Sequence, residues 1–428
     1  MKKLIGIYLP ASVVNEDPGY LEALQRSIGL THVLLSSRQV RLSAATLALN
    51  PFRRATDPHE VLAGLVCRGL DGGIPGNLAE AHPEPARWGP SVAFGDDSAL
   101  RRAIDALRAG GLTAWYVGGA WTANSLMFCP SKEPVNAWLE AVYRDVAESY
   151  DVEAIDVTHA RYPKFAFVDS LFQCACPDCA SSAADLGYDL PWIANRLRHL
   201  IERLGEVSAD ELRAVARESA GPLDLLQVLP DAVALGSWLN FRCDLIARNL
   251  RRFHRAVRDT GRPVLFGSDT YPPALAALFG HRYREWSSHS DFSSPLLAHI
   301  FAFVTQGFAS WTRFLQDRID GLSESDALGL LYRITGYAGL GMPDTIEALG
   351  LDRPDGEFHQ VPIVGLMERD LEKSRRYASP GIPSYPIIQG GVWPVEVVRG
   401  LIAAAERLGH DGIIFQGSGS LLEYRGRA

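Results

Sequence analysis

Four cysteines of this 428-residue chain have the residue type and spacing of a metal site. Cys174, Cys176 and Cys179 form a Cys-x-Cys-x-x-Cys motif, and Cys129 precedes them in the chain. Four thiolates with no open coordination position are typical of a structural, tetrahedral zinc site. The alternative is a set of free thiols packed as small hydrophobic groups, but the polar loop around the motif favours a metal. We predict structural Zn²⁺ on these four cysteines. The two others fit no ligand spacing and are predicted to be buried thiols: Cys67 and Cys243.

Aspartates near the ends of predicted strands are the second group that could do chemistry. Asp156 lies in the predicted strand at 154–158, and Asp269 follows the one at 264–268. Hydrolysis of a glycosidic bond needs two carboxyl groups, one to protonate the leaving oxygen and one to act as base or nucleophile. We predict Asp156 and Asp269 as that pair. Asp291 stays in reserve, since a shift of two residues in a strand boundary could bring it into the site.

Each of these aspartates also has a structural explanation. Asp156 could form a buried ion pair with Arg161, and Asp269 could cap a helix that begins near Pro272. Strand parity favours the chemical role for Asp156, because it shares a face with Thr158 and leaves Val157 to face the helices.

A further set of residues could bind a sugar, whose ring offers apolar faces and a rim of hydroxyls. Aromatic rings, amides and basic groups suit such a ligand, although core packing explains many buried aromatics equally well. The predicted substrate-binding residues are Tyr8, Trp115, Trp121, His159, Arg161, Tyr271, His299, Gln389, Trp393 and Gln416.

Apolar runs alternate with helical periodicity along the chain, which predicts parallel strands connected by helices. An open, doubly wound sheet is the alternative to a closed (β/α)8 barrel, but no Gly-x-Gly-x-x-Gly follows the first strand. In a barrel, the loops after the strands form the active face. The eight predicted strands are Leu4–Leu9, His32–Ser36, Leu112–Val117, Ala154–Thr158, Val264–Ser268, Ser294–His299, Tyr385–Gln389 and Gly412–Gln416.

The chain is predicted to form a single α/β barrel domain over residues 1–428, with inserted helices and long loops. Three connections are too long for simple loops and are expected to hold extra helices. They are residues 40–97 after the second strand, 160–230 after the fourth with the cysteine motif, and 300–383 before the seventh.

Composition excludes several classes of partner. The formal net charge is −8 and no Lys/Arg cluster occurs, which argues against nucleic acid. No stretch approaches the roughly 18 apolar residues of a membrane span. The short apolar run that ends at Pro10 fits a first strand better than a signal peptide. We expect a cytoplasmic protein with a carbohydrate substrate, which could form a homo-oligomer.

Several segments together resemble bacterial glycoside-hydrolase-like (β/α)8-barrel proteins. They are 128–131 (Phe-Cys-Pro-Ser), 150–156, 161–163 (Arg-Tyr-Pro), 174–179 and 268–273. The cysteine placement is also similar to that of the zinc-containing β-galactosidases, which have one cysteine after the third strand and the Cys-x-Cys-x-x-Cys motif after the fourth. The resemblance implies a barrel, a zinc ion and a carbohydrate substrate.

The sequence departs from both families where their acids lie. Lys164-Phe165-Ala166-Phe167 stands where the β-galactosidases have an Asn-Glu pair. Gln389 ends the seventh strand where their nucleophilic Glu is expected, and Thr158 replaces an Asp of the glycoside-hydrolase-like pattern. The resemblance therefore does not assign the catalytic carboxyls.

Two other functions fit the pattern. A non-catalytic carbohydrate-binding barrel would explain the missing glutamates, since a fold does not fix a function. An enzyme acting on a phosphorylated sugar would use the glycine-rich loops at 389–391 and 416–420 to bind phosphate. A redox role for the cysteines is a remote third alternative. It would require an exposed thiol pair of low pKa, whereas four clustered thiols favour a metal.

Overall fold

The computed structural model describes residues 3–36, 39–74, 78, 89–123, 126–162, 171–217, 222–351 and 360–423. Pro163 and the segment 164–167, which the sequence comparison singles out, lie outside these residues.

The chain folds into the (β/α)8 barrel that the sequence predicts. Eight parallel strands form one sheet in the order β6-β5-β4-β3-β2-β1-β8-β7. Parallel bridges from Ser293 to Ser384 and from Leu296 to Ile387 join β6 to β7 and close the circle. The strands are β1 Leu4–Leu9, β2 His32–Leu35, β3 Thr113–Gly119, β4 Ala154–Thr158, β5 Leu265–Thr270, β6 Phe292–Pro295, β7 Ile387–Gln389 and β8 Gly412–Gln416.

Helices surround the barrel and fill its long connections. The helix predicted at Ser98–Ala109 has those bounds, and Asp or Ser side chains cap several others, with a full capping box at Ser208 and Glu211. The helices are α1 Ala11–Glu16, α2 Pro18–Ile28, α3 Ala44–Ala48, α4 Pro58–Leu65, α5 Ser98–Ala109, α6 Glu133–Ser149, α7 Pro177–Asp185, α8 Leu190–Arg203, α9 Ala209–Ala216, α10 Leu225–Val228, α11 Val233–Arg258, α12 Ile300–Gln316, α13 Glu324–Thr335, α14 Ile363–Arg376, α15 Val395–Arg407 and α16 Gly419–Glu423.

The sixth strand differs from the prediction. It ends at Pro295 instead of running over Ser294–His299, because the chain turns there, with the Leu297 N–H donating back to Pro295 O over 3.0 Å. His299 then becomes the residue before α12. The earlier start of β6 leaves Asp291 just ahead of the strand, at the end where strands begin.

Aromatic side chains fill the barrel near the starts of its strands. The Trp115 ring packs against Phe292 at 4.7 Å and against Tyr385 at 5.9 Å between ring centroids. Its indole N–H donates to Glu153 Oε2 over 2.8 Å. Trp115 therefore belongs to the barrel core at this end, away from the loops that follow the strands.

Within the part of the chain that the structure describes, no helix has both the length and the apolar character needed to cross a membrane.

Gly267 lets the Phe292 ring lie flat against β5. A Cβ placed on Gly267 would lie 2.6 Å from that ring. We expect Gly267→Ala to lower the free energy of unfolding by about 1–3 kcal/mol, as in other overpacked cores, measured by urea denaturation. The matched control is Gly400→Ala in α15, where a Cβ meets nothing within 4 Å. That change should be neutral or stabilise by up to about 1 kcal/mol. Equal effects from the two changes would contradict this account of the packing.

Candidate active site and cysteine cluster

Asp156 and Tyr8 meet inside the barrel from strands on nearly opposite sides. Tyr8 Oη of β1 donates a hydrogen bond of 2.6 Å to Asp156 Oδ2 of β4. Asp156 is fully buried. Burial, and next the charge of Asp269, raise the pKa of Asp156 to about 7, although the hydrogen bond from Tyr8 acts to lower it. A carboxyl with such a pKa is well suited to hold a proton near neutral pH.

Asp269 lies in the neighbouring strand β5, beside a cationic side chain. Arg161 Nη1 approaches Asp269 Oδ2 at 3.5 Å, and the backbone N–H of His159 also donates to this carboxyl. Burial raises the pKa of Asp269, while Arg161 and the His159 N–H oppose that effect. Among the described residues the hydrogen-bond partner of Asp156 is the neutral Tyr8 hydroxyl, so Asp269 is the carboxyl that is better held in its charged form.

Several buried polar atoms around this pair have no hydrogen-bond partner within the described residues. They are Asp156 Oδ1, Asp269 Oδ1, Tyr271 Oη and Ser294 Oγ. Ser294 is directly opposite Asp269 in the pairing of β5 and β6, so the two side chains share a face of the sheet. Buried polar atoms are rarely left unpaired in proteins, and a group of them marks a place for water or ligand atoms.

The loop after β5 packs its aromatic rings behind Arg161. The Tyr271 ring stacks between Phe279 at 3.9 Å and Phe303 at 4.4 Å, and Arg161 lies over it at 5.2 Å. His299 contacts the same Phe303 ring. This packing fixes the position of the Arg161 guanidinium beside Asp269.

His281 connects the loops that follow β4 and β5. Its Nδ1 accepts from the Tyr271 N–H at 2.8 Å, and its Nε2 lies 2.9 Å from the carbonyl oxygen of Ala160. Burial lowers the pKa of His281 to about 3, so the ring is neutral and Nε2 donates. Sequence reasoning missed this residue, because a single histidine with no motif gives no signal.

His159 occupies a constrained turn at the end of β4. Its φ of 61° lies in the left-handed region, which a residue with a Cβ adopts at a cost and which is common at functional sites. The His159 Nδ1 lies 2.5 Å from the Thr158 hydroxyl. Both side chains are partly exposed, so they lie at the accessible edge of the buried pair.

The two glutamines predicted to bind substrate, Gln389 and Gln416, form a row of polar side chains with Tyr8. Gln416 of β8 pairs with Tyr8 on one side and with Gln389 of β7 on the other. All three residues are partly exposed. Tyr8 therefore joins this row of polar side chains to Asp156.

Three predicted site residues lie away from the pair of Asp156 and Asp269 or are almost fully buried. Trp121 is fully buried, donates to Asn136 Oδ1 at 3.0 Å and packs on Phe253 of α11, so it lies outside the barrel wall. Trp393 is only 2% exposed. Asp291, at the opposite end of the barrel, accepts from Arg258 Nη2 at 2.9 Å and lies 3.2 Å from His254. The structure brings neither Trp121 nor Asp291 to the pair.

The predicted cysteine ligands do converge. The sulfur atoms of Cys129, Cys174, Cys176 and Cys179 lie within 4.8 Å of one another, and all four residues are buried. Tetrahedral zinc with Zn–S bonds of about 2.3 Å places its sulfurs roughly 3.8 Å apart. The Cys129 sulfur lies 3.3 Å from that of Cys179 and 3.9 Å from that of Cys176. The cluster therefore has the size and chemistry to bind a metal ion.

The two remaining cysteines are both buried, as predicted. Cys243 lies on α11, with its sulfur 4.0 Å from the Ala277 carbonyl oxygen. Cys67 instead lies beside the cluster. The backbone N–H of Arg68 donates to the Cys174 sulfur at 3.2 Å, a contact that stabilises a thiolate.

No protein-family model matches the sequence, and no curated protein matches it. Solved structures to which the chain is similar include the PgaB (BpsB) glycoside hydrolase domain from Bordetella bronchiseptica, at 10% identity and a TM-score of 0.49, over 100% of this chain and 99% of that one. Another is β-glucosidase 1317, at 12% identity and a TM-score of 0.38, over 95% and 77%. A third is the β-galactosidase of the psychrophilic Marinomonas ef1, at 9% identity and a TM-score of 0.35, over 97% and 76%.

Asp291 should contribute to stability in a pH-dependent way. Burial acts to raise its pKa, but His254, the Phe266 N–H and Arg258 together lower it to about 2. A carboxyl with a depressed pKa stabilises the fold above its unfolded pKa of about 3.9, and the effect disappears as pH falls towards the folded value. We expect Asp291→Asn to cost on the order of 1–2 kcal/mol at pH 7. Urea unfolding of both proteins should show the difference shrinking below about pH 4. A difference that does not change with pH would contradict it.

Proposed function

We propose that this protein is a glycoside hydrolase that uses Asp156 and Asp269 as its two carboxyl groups. The observation that carries the proposal is the pair itself, which comprises two buried carboxyls in adjacent strands with different partners. Enzymes that cleave glycosidic bonds need one carboxyl that is protonated and one that is charged. The location of the pair, towards the strand ends that lead into the loops, fits the general position of active sites in such barrels.

In this proposal Asp156 is the general acid and Asp269 the base or nucleophile. The raised pKa of Asp156, about 7, keeps a proton available for the leaving oxygen. Asp269 is stabilised in its charged form by Arg161 and the His159 N–H. The Ser294 hydroxyl, which is opposite Asp269 and has no partner within the described residues, is suited to bind a water or a sugar hydroxyl beside that carboxylate.

The substrate is a carbohydrate that reaches the pair past the polar rim of Tyr8, Gln389, Gln416 and His159. Amide and hydroxyl groups of this kind can bind sugar hydroxyls. Asp156 Oδ1 has no partner within the described residues, so this oxygen donates the proton to the glycosidic oxygen while Oδ2 keeps the hydrogen bond from Tyr8.

The glycine-rich loops give less support to a phosphorylated substrate. The N–H groups of Gly390 and Gly391 donate to Gln416 O and Gln389 Oε1, and that of Ser420 donates to Gly390 O. A phosphate site needs such groups to be available to the ligand. These three donors are already used within the protein.

We also propose that the cysteine cluster binds one structural Zn²⁺. Four thiolates and no other ligand leave the ion no open position for substrate, so its role is to hold chain segments together. Cys129 follows β3, and the other three ligands follow β4. The ion would fix the two loops beside the strand that carries Asp156.

Removal of either carboxyl should abolish most of the hydrolysis. We expect Asp156→Asn and Asp269→Asn each to lower kcat/KM by at least about 10²-fold, as for the loss of a general acid or base. The assay is a screen of aryl glycosides and small oligosaccharides, with folding checked by circular dichroism. Asp145→Asn, which removes a buried carboxyl of α6 that binds the Ser43 N–H, is the control and should keep its activity. Oligosaccharide binding without turnover in the wild type would instead support a non-catalytic carbohydrate-binding barrel.

Tyr8→Phe should move the pH profile in a defined direction. The Tyr8 hydrogen bond lowers the pKa of Asp156, so its removal raises that pKa. A general acid must be protonated to act, so activity falls as pH rises through its pKa. We therefore expect the alkaline limb of kcat/KM to shift to higher pH in Tyr8→Phe. Tyr188→Phe, which breaks a tyrosine hydrogen bond to Asp244 elsewhere, should leave the profile unchanged. A shift to lower pH would refute the role of Asp156 as the acid.

Metal analysis of the purified protein tests the zinc proposal. We expect close to one zinc per chain and its loss in Cys176→Ser, since three thiolates hold the ion much less tightly than four. The variant should also unfold at a lower temperature. Wild-type protein that is fully folded without metal would contradict the proposal. The loops after β3 and β4 would then be held in place without an ion.

A further inference from the structure

Cys67 is held next to Cys129 by backbone pairing. Val66 and Phe128 form an antiparallel bridge. The N–H of Cys67 donates to Met127 O, and the N–H of Cys129 donates to Leu65 O, each over 2.8 Å. These bonds fix the two cysteines on adjacent chain segments, although the sequence separates them widely.

Cys67 also lies next to Cys174 through the backbone of the following residue. The N–H of the next residue, Arg68, donates to the Cys174 sulfur at 3.2 Å, which places the backbone of Cys67 beside that ligand. Cys67 is only 2% exposed, yet it is not one of the four residues whose sulfurs are all within 4.8 Å of one another. Cys67 therefore borders the edge of the cluster between Cys129 and Cys174.

We propose that Cys67 is a reserve ligand of the metal site, able to take the place of Cys174. The inference rests on the zinc site proposed above. Tetrahedral zinc binds four thiolates at once, so a fifth thiol at this edge stays outside while the other four are intact. When the Cys174 sulfur is lost, the corner it leaves is bordered by the Cys67 thiol, and a small movement of that side chain completes the tetrahedron again. Among the described residues, no comparable backbone hydrogen bond links Cys67 or Arg68 to Cys176.

The test compares metal content in the full-length chain for the wild type and four variants. The variants are Cys67→Ser, Cys174→Ser, Cys176→Ser and the double change Cys67→Ser with Cys174→Ser. Each protein is dialysed against a chelator, and its zinc is measured by mass spectrometry. We expect close to one zinc per chain in the wild type, Cys67→Ser and Cys174→Ser. Cys176→Ser and the double variant should lose most of their zinc.

Cobalt substitution gives a second measure that counts thiolates directly. The sulfur-to-cobalt charge-transfer absorption should be the same in Cys174→Ser as in the wild type. It should fall by about a quarter in any fraction of the double variant that retains cobalt, because three thiolates remain of four. If Cys174→Ser does not fold, Cys174→Ala provides the same comparison, since it removes the same sulfur without adding a hydroxyl.

The outcomes separate the two proposals. Wild-type protein without metal would remove the zinc site itself. Zinc in the wild type but loss in Cys174→Ser as complete as in the double variant would overturn the reserve role of Cys67 and leave the zinc site intact. Loss of zinc in Cys67→Ser alone would also overturn it, because Cys67 would then be an obligatory ligand.

Discussion

Two carboxyl groups buried side by side in a barrel impose the main physical constraint on this molecule. Moving a charged carboxylate out of water is costly, and two like charges close together add to that cost. The two carboxyls are stabilised by different partners. A tyrosine hydroxyl donates to Asp156, whereas a guanidinium and a backbone N–H lie against Asp269. Burial raises the pKa of both carboxyls, to about 7 for Asp156, while Arg161 and the His159 N–H oppose the rise at Asp269.

The rest of the fold keeps these partners in place. Tyr8 reaches Asp156 only because the sheet closes and brings β1 opposite β4. Arg161 keeps its position through the Tyr271 ring, which is itself stacked between two phenylalanines. His281 connects the two loops that carry Arg161 and Tyr271 through hydrogen bonds to backbone atoms. The cysteine cluster brings together Cys129 from the segment after β3 and three cysteines from the segment after β4, the strand that carries Asp156.

Much of this architecture could be predicted from local sequence patterns. The alternation of apolar runs and helical periodicity predicted eight strands and the barrel, and parity along β4 predicted an inward Asp156. The cysteine motif predicted which four sulfurs would converge. These features depend on residue type and spacing over short segments, or on the rule that loops after adjacent strands lie together.

Other features depend on register and on contacts between distant segments, which one sequence does not reveal. Ser294 became relevant only when β6 was found to begin at Phe292, which puts it opposite Asp269. Asp291 still precedes β6 and therefore lies at the far end of the barrel. Trp115 lies inside the barrel but near the starts of its strands. Strand parity predicts which residues face inward, but it does not predict the end of the barrel at which they lie. Cys67 is brought beside the cluster by a bridge between Val66 and Phe128, which no sequence pattern predicts.

If Asp156 is the acid and Asp269 the base or nucleophile, Asp156 must have the higher pKa of the two carboxyls. The most direct measurement is a titration of protein labelled with ¹³C at the aspartate carboxyl, followed by NMR, with Asp156→Asn and Asp269→Asn used to assign the signals. The account predicts a carboxyl that titrates near pH 7 and disappears in Asp156→Asn, and a second that titrates at lower pH and disappears in Asp269→Asn. Titration of both carboxyls below about pH 5, close to the ordinary range for aspartate, would contradict the account.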